Sequence, residues 1–265
     1  MNKISIITIN RNNAEGLEKT IRSVLSQTYT NYEYLVIDGD STDNSKEILM
    51  NYQSQLKLAL SEPDTGIYNA MNKGIKKAIG DYCYFLNSGD TLASAHTLEH
   101  IFGHTEYTAP YICGHQINII DGKQHKALAK NKTLTLYDFY SGTIKHQATF
   151  IRRDLFTQYG LYDENLRITS DWKFFLKTIG LHNQQPVYVD VDVVHFLWEG
   201  ISTSPKWIKI HNEERQKVFD QCIPKSIQAD YDNLVHLNNY KYIADLMDNN
   251  SLFANIVKGL VKLFK

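Results

Sequence analysis

The sequence has few cysteines, no long apolar run and little net charge, and each shortage argues against a class of protein. Its 3 cysteines, Cys83, Cys113 and Cys222, are too widely spaced for a zinc-binding pair or a disulfide framework, so we expect reduced thiols in a cytosolic protein. No apolar stretch approaches the length of a transmembrane helix, and we expect no secretory leader because a strand pattern begins at Ile4. The net charge of −1 gives no reason to expect a nucleic acid partner.

Two glycine motifs that commonly bind phosphate are also missing. No Gly-x-Gly-x-x-Gly follows the first predicted strand, and the sequence contains no Gly-x-x-x-x-Gly-Lys-Ser/Thr. The segment Thr8–Asn13 has no glycine, which argues against a nucleotidyltransferase with a glycine-rich loop. If the protein binds phosphates, side chains and a metal ion must make more of the contacts with the phosphate oxygens.

The first half of the sequence alternates regularly between strand and helix patterns. Apolar β-branched segments predict strands, and apolar residues at helical spacing predict helices. The predicted strands are 4–9, 34–37, 56–61 and 82–86, and the predicted helices are 14–27, 45–54 and 67–79. This order predicts an α/β fold with a doubly wound, mostly parallel sheet, whose site lies at the carboxyl ends of the strands.

A polar loop follows each of these strands. The loops supply, in order, Arg11, Asp38, Asp64 and Asp90, and in a doubly wound sheet they can converge on one cleft. A carboxylate such as Asp90, held at the end of a buried strand, can ligate a divalent cation that bridges phosphate oxygens. Each residue also has an alternative interpretation as a turn residue, a helix cap or a solvated charge.

The second half is less regular. Patterns predict a helix at 94–104, a hairpin of 111–120 and 123–128, a strand at 146–151, a helix at 153–159 and a last strand at 187–194. Ser170 is a candidate N-cap, which would place Asp171 in the first turn of a helix. In that position Asp171 could simply complement the helix dipole.

The C-terminal part predicts a helical extension, with helices at 205–221 and 226–248. Residues 252–265 form a basic amphipathic helix without acidic residues, as in-plane membrane anchors do. One half of its helical wheel carries Leu252, Phe253, Ile256, Val257, Leu260, Val261, Leu263 and Phe264, and the other carries Asn255, Lys258, Lys262 and Lys265. The alternative is a helix packed on the domain or on a partner.

Several motifs occur together in a characteristic order and spacing. They are Ser5-Ile6-Ile7-Thr8, Asn10-Arg11, Val36–Asp43, Ser61–Gly74, Phe85–Asp90, His146-Gln147, Ser170-Asp171-Trp172 and Gly200-Ile201-Ser202. Over residues 3–202 the chain therefore resembles the family 2 glycosyltransferases with a GT-A fold, closest to bacterial exopolysaccharide and colanic-acid type enzymes. The resemblance implies a nucleotide-sugar half at 1–100 and an acceptor half at 101–204, followed by the extension at 205–265.

The resemblance also implies roles for individual residues. The expected nucleotide-sugar site comprises Thr8, Asn10, Arg11, Asp38, Asp64, Asn69, Lys73, Asn87 and Ser88. Asp90 matches the metal-binding end of the family's acidic motif, with His195 as a further candidate ligand for Mn²⁺ or Mg²⁺. The chain departs from the common Asp-x-Asp-Asp form, because Asn87-Ser88-Gly89-Asp90 retains a single carboxylate and Asn87 supplies a neutral oxygen.

Asp171 matches the family's catalytic base, which would accept the proton of the attacking acceptor hydroxyl. A single base opposite the leaving group implies inversion at the anomeric carbon. His146 and Gln147 would lie on the acceptor side, and Trp172 and Trp198 could stack on a sugar or pack in the core or at the rim of the cleft.

The sequence thus predicts an inverting glycosyltransferase in surface polysaccharide biosynthesis. It would use a nucleotide-diphosphate sugar, a divalent metal and a glycan or lipid-linked glycan acceptor, with no nucleic acid partner. Its predicted location is cytoplasmic, at the inner face of the cell membrane, in peripheral contact through 252–265. The loss of acidic residues at 87 and 89 leaves a second hypothesis, a non-catalytic nucleotide-sugar-binding or assembly protein on the same fold.

Overall fold

The structure is a computed structural model that describes residues 1–129, 132–198, 207–249 and 251–263. It contains two compact units, Met1–Arg215 and Gln216–Lys265. The predicted boundary between 204 and 205 and the motif Gly200-Ile201-Ser202 lie outside the described residues. The predicted division into donor and acceptor halves stays a prediction.

The first half of the larger unit has the predicted alternation. Its elements are β1 (Ile4–Asn10), α1 (Ala14–Leu25), β2 (Tyr32–Asp38), α2 (Ser45–Tyr52), β3 (Leu58–Ser61), α3 (Ile67–Lys77) and β4 (Tyr82–Phe85). β1 lies between β2 and β4, β3 flanks β2, and all three pairings are parallel. The register places Asn10 beside Asp38 and Asp38 beside Ser61, so the polar strand ends meet at one edge.

The second half adds antiparallel strands to the same sheet. Its elements are β5 (Thr91–Leu92), α4 (Thr97–Phe102), β6 (Tyr111–Ile120), β7 (Lys123–Ala127), α5 (Leu136–Ser141), β8 (Thr149–Arg152), α6 (Asp154–Tyr159), α7 (Ser170–Phe175) and β9 (Pro186–Leu197). The strand order is β3-β2-β1-β4-β8-β6-β9-β5, and β7 pairs with β6. β8 is antiparallel to both β4 and β6, whereas β6 and β9 are parallel. The predicted α/β class is confirmed.

Local details of the second half correct the sequence prediction. Residues His146–Ala148 form a 3₁₀ turn, and β8 begins only at Thr149. The N-cap of α7 is Thr169 instead of Ser170, whose buried hydroxyl has no hydrogen-bond partner among the residues that the structure describes. The first residues of the predicted strand, His146-Gln147-Ala148, do not alternate between polar and apolar, so periodicity did not fix where the strand begins.

Aromatic side chains form much of the core beneath the strand ends. Tyr84 stacks on Phe150 with ring centroids 4.4 Å apart, and Phe85 stacks on His146 at 5.1 Å. Tyr84, Phe85 and Phe150 are fully buried. Much of the high aromatic content therefore stabilises the sheet, where each large ring contributes about 1.5–3 kcal/mol through burial.

Three helices follow the last strand of the sheet: α8 (Ile208–Cys222), α9 (Lys225–Asn249) and α10 (Ser251–Leu263). The predicted helical extension is confirmed in its secondary structure. Within the described ranges, each helix is too short or too polar to cross a bilayer.

Candidate active site

A cleft of about 620 Å³ opens at the carboxyl ends of β1 and β4. Residues from α1, α3, α7 and the end of β9 complete its walls. The predicted site residues among its lining are Arg11, Asn87, Ser88, Asp90, His146, Gln147 and Asp171. The structure thus brings together the candidate metal ligand, the candidate base and two acceptor-side residues from distant parts of the chain.

Asp38 lies just beneath the surface of this edge and connects three loops. Its buried carboxylate accepts hydrogen bonds from Asn10 Nδ2 at 2.7 Å, from the amide of Ser41 at 2.9 Å and its hydroxyl at 2.5 Å, and from Ser61 Oγ at 2.6 Å. Burial opposes ionisation of Asp38, but these donors outweigh it and lower its pKa below the ordinary value. The charged carboxylate therefore holds together the loops after β1, β2 and β3.

The loops after β1, β2 and β3 also meet through Arg11, Gly39 and Asp64. Arg11 Nη1 lies 3.9 Å from Asp64 Oδ1. A Cβ at Gly39 would lie 2.2 Å from Asp64 Oδ2, so a larger residue there would displace the Asp64 carboxylate. The predicted convergence of Arg11, Asp38 and Asp64 is present in the fold.

Other residues predicted for the nucleotide-sugar site have structural partners instead. Thr8 is fully buried, and its hydroxyl donates to the carbonyl oxygen of Leu86 at 2.7 Å. Lys73 Nζ donates to the carbonyl oxygen of Pro63 at 2.7 Å and lies 2.9 Å from Glu62, and Asn69 donates to Glu164 at 2.7 Å. Thr8, Asn69 and Lys73 are not among the described residues that line the cleft, and their predicted role in the nucleotide-sugar site stays a prediction.

The cations that line the cleft are Arg11, Lys19 and Arg167. Sequence reasoning missed Lys19, which lies on α1 and bonds Glu15 at 2.6 Å, because its position reads as an ordinary exposed helix charge. It also missed Arg167, which lies in an irregular segment with its guanidinium 4.6 Å from the ring centroid of Trp207. Only the folding of α1 and α7 against the sheet shows that both face the same space.

Asp90 is 4% exposed and lies at the tip of the loop that follows β4. Its Oδ1 accepts a hydrogen bond from the backbone amide of Leu197 at 3.0 Å, which connects this loop to the end of β9. Burial raises the pKa of Asp90 to about 7. A nearby cation would therefore stabilise its ionised form.

Two oxygen donors near the cleft fit a divalent cation. The side-chain oxygen of Asn87 is buried and has no hydrogen-bond partner, and the Asp90 carboxyl is buried without an ion pair among the described residues. Mg²⁺ is often held by one or two protein oxygens together with substrate phosphates. In the described part of the chain no group of three or more His, Cys, Asp and Glu side chains could hold a metal, so the diphosphate would have to supply further ligands.

His195 does not join Asp90. It lines a separate cavity of about 330 Å³ with His100, Asp190 and Asp192, whereas its neighbour Phe196 lines the cleft. Successive side chains of a strand point to opposite faces, and this alternation separates the two predicted metal ligands.

Asp171 lies in the first turn of α7, as predicted, and its carboxylate faces the cleft. The hydroxyl of Tyr68 lies 2.7 Å from Asp171 Oδ1 and 2.6 Å from the carbonyl oxygen of Ile168. Burial, with the negative charge of Asp171, raises the pKa of Tyr68 well above its ordinary value. Tyr68 thus stays protonated, and its single O–H is shared between the Asp171 carboxylate and the Ile168 carbonyl oxygen, a contact that sequence reasoning missed.

The acceptor-side predictions divide between the cleft and the core. His146 lines the cleft but is buried, lies 2.9 Å from the Tyr162 hydroxyl through Nε2, and has its pKa lowered by burial. Trp172 is 4% exposed and donates to the carbonyl oxygen of Phe139 at 2.9 Å, so it is a core residue and not a stacking surface. Trp198 is 40% exposed and lies beside Phe196, at 6.0 Å between ring centroids.

Comparison with known proteins agrees with this geometry. Residues 5–164, more than half of the chain, match the model of the family "Glycosyl transferase family 2". The chain belongs to glycosyl transferase family 2. It is therefore a glycosyltransferase, as the sequence motifs predicted.

Curated relatives are similar over about two thirds of the chain. An uncharacterized glycosyltransferase of Mycobacterium tuberculosis is 32% identical over 192 residues, which cover 66% of this chain and 68% of the relative. A PGL/p-HBAD biosynthesis glycosyltransferase of Mycobacterium bovis is 30% identical over 181 residues, covering 65% and 68% of the two chains.

Solved structures of low sequence identity share the fold of this glycosyltransferase. S. aureus TarS 1–349 in complex with UDP-GlcNAc is 20% identical with a TM-score of 0.61, over 77% of this chain and 61% of TarS 1–349. The mannosyltransferase PcManGT from Pyrobaculum calidifontis, in complex with GDP-Man and Mn²⁺, is 15% identical with a TM-score of 0.62. The match covers 99% of this chain and 80% of PcManGT. The family 2 chain therefore has a GT-A-type fold.

Proposed function

We propose that this family 2 enzyme transfers a sugar from a nucleotide-diphosphate sugar to a hydroxyl group, with inversion at the anomeric carbon. The observation that carries the proposal is the position of Asp90 and Asp171 in one cleft, one at the end of a parallel strand and the other at the start of α7. Asp90 can help to bind the diphosphate of the donor, and Asp171 can accept the proton of the incoming hydroxyl. TarS has been solved with UDP and UDP-GlcNAc, and PcManGT with GDP-Man, which supports a nucleotide-sugar donor.

The donor would lie across the carboxyl ends of β1 and β4. Arg11, Lys19 and Arg167 supply positive charge for the diphosphate. Asp90 and the unpartnered oxygen of Asn87 would hold a divalent cation, which supplies charge compensation for the leaving group when bound. Mn²⁺ accompanies GDP-Man in PcManGT, and Mn²⁺ or Mg²⁺ fits the same oxygen donors here.

Asp171 would act as the general base. The acceptor oxygen forms a bond to the anomeric carbon, the bond from that carbon to the diphosphate oxygen breaks, and the hydroxyl proton passes to Asp171. Tyr68 holds the carboxylate through its 2.7 Å contact. Attack from the side opposite the leaving group inverts the anomeric centre.

We propose a glycan or lipid-linked glycan as acceptor, in surface polysaccharide biosynthesis at the cytoplasmic face of the cell membrane. Gln147 is half-buried in the cleft lining and can donate or accept a hydrogen bond with a sugar hydroxyl. The exposed apolar residues of α10 support peripheral contact with the membrane: Leu252, Ile256, Leu260 and Val261. The M. bovis relative is a biosynthetic glycosyltransferase by its name.

A thermal-shift screen tests the donor and metal assignments together. UDP, GDP, CDP and dTDP would each be added with Mn²⁺ and with chelator. A nucleotide present at 100 times its Kd stabilises the fold by about 2.7 kcal/mol, which corresponds to a rise in Tm of roughly 5–10 °C. We expect one nucleotide to give this shift, and only with Mn²⁺. The Asp90→Asn variant should lose this Mn²⁺-dependent shift. A shift of the same size with chelator would contradict the metal site, and no shift with any nucleotide would contradict the donor class.

A further inference from the structure

Helix α8 carries a carboxylate that binds the backbone just ahead of Asp171. Glu214 Oε1 accepts a hydrogen bond from the amide of Arg167 at 2.5 Å. Its Oε2 accepts from the amide of Ile168 at 3.0 Å, from the amide of Thr169 at 3.1 Å and from the Thr169 hydroxyl at 3.0 Å. One side chain, distant in sequence, thus collects three consecutive backbone N–H groups.

These contacts end at the N-cap residue of α7. Thr169 is the N-cap residue, yet no side chain caps the helix locally, because the Thr169 hydroxyl donates to Glu214 instead. Hydrogen bonds to an ionised acceptor are shorter and stronger than neutral ones. The backbone from Arg167 to Thr169 is therefore held against α8 immediately before the helix that carries Asp171.

The next residue of α8 holds the other side of the same segment. The Arg215 guanidinium lies 4.4 Å from the ring centroid of Trp172 and donates to the carbonyl oxygens of Phe139 at 2.7 Å and Tyr140 at 2.9 Å. Trp172 also donates to Phe139. Glu214 and Arg215 together bracket Asp171, one through the residues before it and the other through the residue after it.

We propose that Glu214 is a positioning residue for the transfer reaction, which fixes Asp171 through the backbone of residues 167–169 that precedes it. The proposal rests on the proposed function, in which Asp171 is the base. Glu214 itself is not among the residues that line the cleft and acts by geometry. A general base must lie within hydrogen-bond reach of the hydroxyl, and a displacement of about 1 Å can cost about 100-fold in rate.

The test compares Glu214→Gln with Glu213→Gln in the full-length chain. The two changes remove the same charge from adjacent positions of α8, but Glu213 is exposed and lies 3.8 Å from Lys209 in the helix. The reporter is nucleoside diphosphate release from UDP-glucose, UDP-GlcNAc and GDP-mannose with Mn²⁺, since water can replace the acceptor. We expect Glu214→Gln to lower kcat by about 10–100-fold with the donor KM within twofold, and Glu213→Gln to match the wild type.

Two further measurements separate positioning from a general loss of stability. Hydrogen–deuterium exchange should accelerate at the amides of 167–169 in Glu214→Gln and not in Glu213→Gln. In an Asp171→Asn background, Glu214→Gln should lower kcat no further, because residues that act as a unit are not additive. If Glu214→Gln does not fold, Glu214→Asp, which keeps the charge on a shorter side chain, takes its place in both measurements.

The outcomes distinguish this proposal from the proposed function. Unchanged exchange at 167–169, or a kcat equal to that of Glu213→Gln, would overturn the role of Glu214 while leaving Asp171 as the base. A full additional loss in the Asp171→Asn background would show that Glu214 does not act through Asp171. A fully active Asp171→Asn would instead overturn the proposed function, and with it the reaction that Glu214 is inferred to serve.

Discussion

Asp171 shows how one residue can have both a structural and a chemical interpretation. An acid in the first turn of a helix stabilises it through the dipole alone. Here the carboxylate also faces the cleft. It lies 2.7 Å from the hydroxyl of Tyr68, a residue of α3. A contact with Tyr68 on another helix does not help Asp171 to compensate the dipole of α7. The contact therefore favours the role of an oriented base.

The replacement Asp171→Asn should therefore lower kcat strongly, to a residual rate, while leaving donor binding intact. General bases contribute about 100- to 10,000-fold to rate, and the amide cannot accept the proton. The measurement is steady-state release of nucleoside diphosphate beside the Kd of the same nucleotide.

A matched control is Asp154→Asn, which changes an acid in the first turn of α6 that bonds Arg152 outside the cleft. It should keep wild-type turnover. Equal turnover by the two variants would remove Asp171 from the role of base.

Charge in the cleft also depends on single residues. Lys73 was predicted near the phosphates, but its ammonium binds Glu62 and the carbonyl oxygen of Pro63. The role predicted for Lys73 stays a prediction. Arg11, also predicted, and Arg167 line the cleft. Arginine presents a planar set of donors to phosphate oxygens, which favours direct binding of the diphosphate by these two side chains.

Helix α10 separates an apolar face from a basic face. Ile256 and Leu260, which are 54% and 51% exposed, follow each other at helical spacing, while Lys258 and Lys262 lie on the other side of the wheel. An apolar face with flanking lysines suits the boundary between lipid headgroups and acyl chains. This pattern is a property of the helix itself and supports a membrane surface as its partner.

A pair of charge-adding substitutions tests this face in the full-length chain. Ile256→Asp should release the protein from vesicles of phosphatidylglycerol and phosphatidylcholine, because it places a carboxylate in the apolar face. Asn255→Asp adds the same charge on the polar face and should weaken binding only by about 1 kcal/mol, or roughly fivefold. Vesicle sedimentation measures both, and equal effects of the two substitutions would rule out insertion of the apolar face.

For the molecule as a whole, Asp38 connects the loops of three parallel strands through one buried charge. Its pKa is lowered in the folded state, so the unfolded chain binds its proton more readily. The stabilisation from Asp38 is therefore fully present above the ordinary pKa of about 3.9 and is lost as the pH falls through the lower, folded pKa.

Asp38→Asn should lower the free energy of unfolding at pH 7 by about 1–3 kcal/mol, since hydrogen bonds to a charged group are lost. The difference from wild type should shrink as the pH falls below about 4. Urea unfolding at steps from pH 7 to pH 3 measures it. Asp40→Asn, an exposed change in the same loop that loses only a surface ion pair with Lys46, should show a smaller effect at pH 7, and a pH-independent loss in Asp38→Asn would contradict the assignment.

Local patterns were sufficient for much of the fold. Strands β1, β2 and β4 and helices α1 and α3 were predictable because their apolar residues repeat at the period of the element and polar or glycine residues end it. The convergence of Arg11, Asp38 and Asp64 followed, because parallel strands present their carboxyl ends at one edge. The site on that edge therefore follows from periodicity and the order of elements.

Tertiary structure alone decided which side chains face the cleft. Trp172 is a core residue because of what packs beside it, and its partner Phe139 is far from it in sequence. The same holds for Glu214, whose carboxylate meets the amide of Arg167 across 47 positions. Sequence spacing determines the periodicity within one element, whereas contacts between distant elements depend on how the whole chain packs, and these contacts orient Asp171.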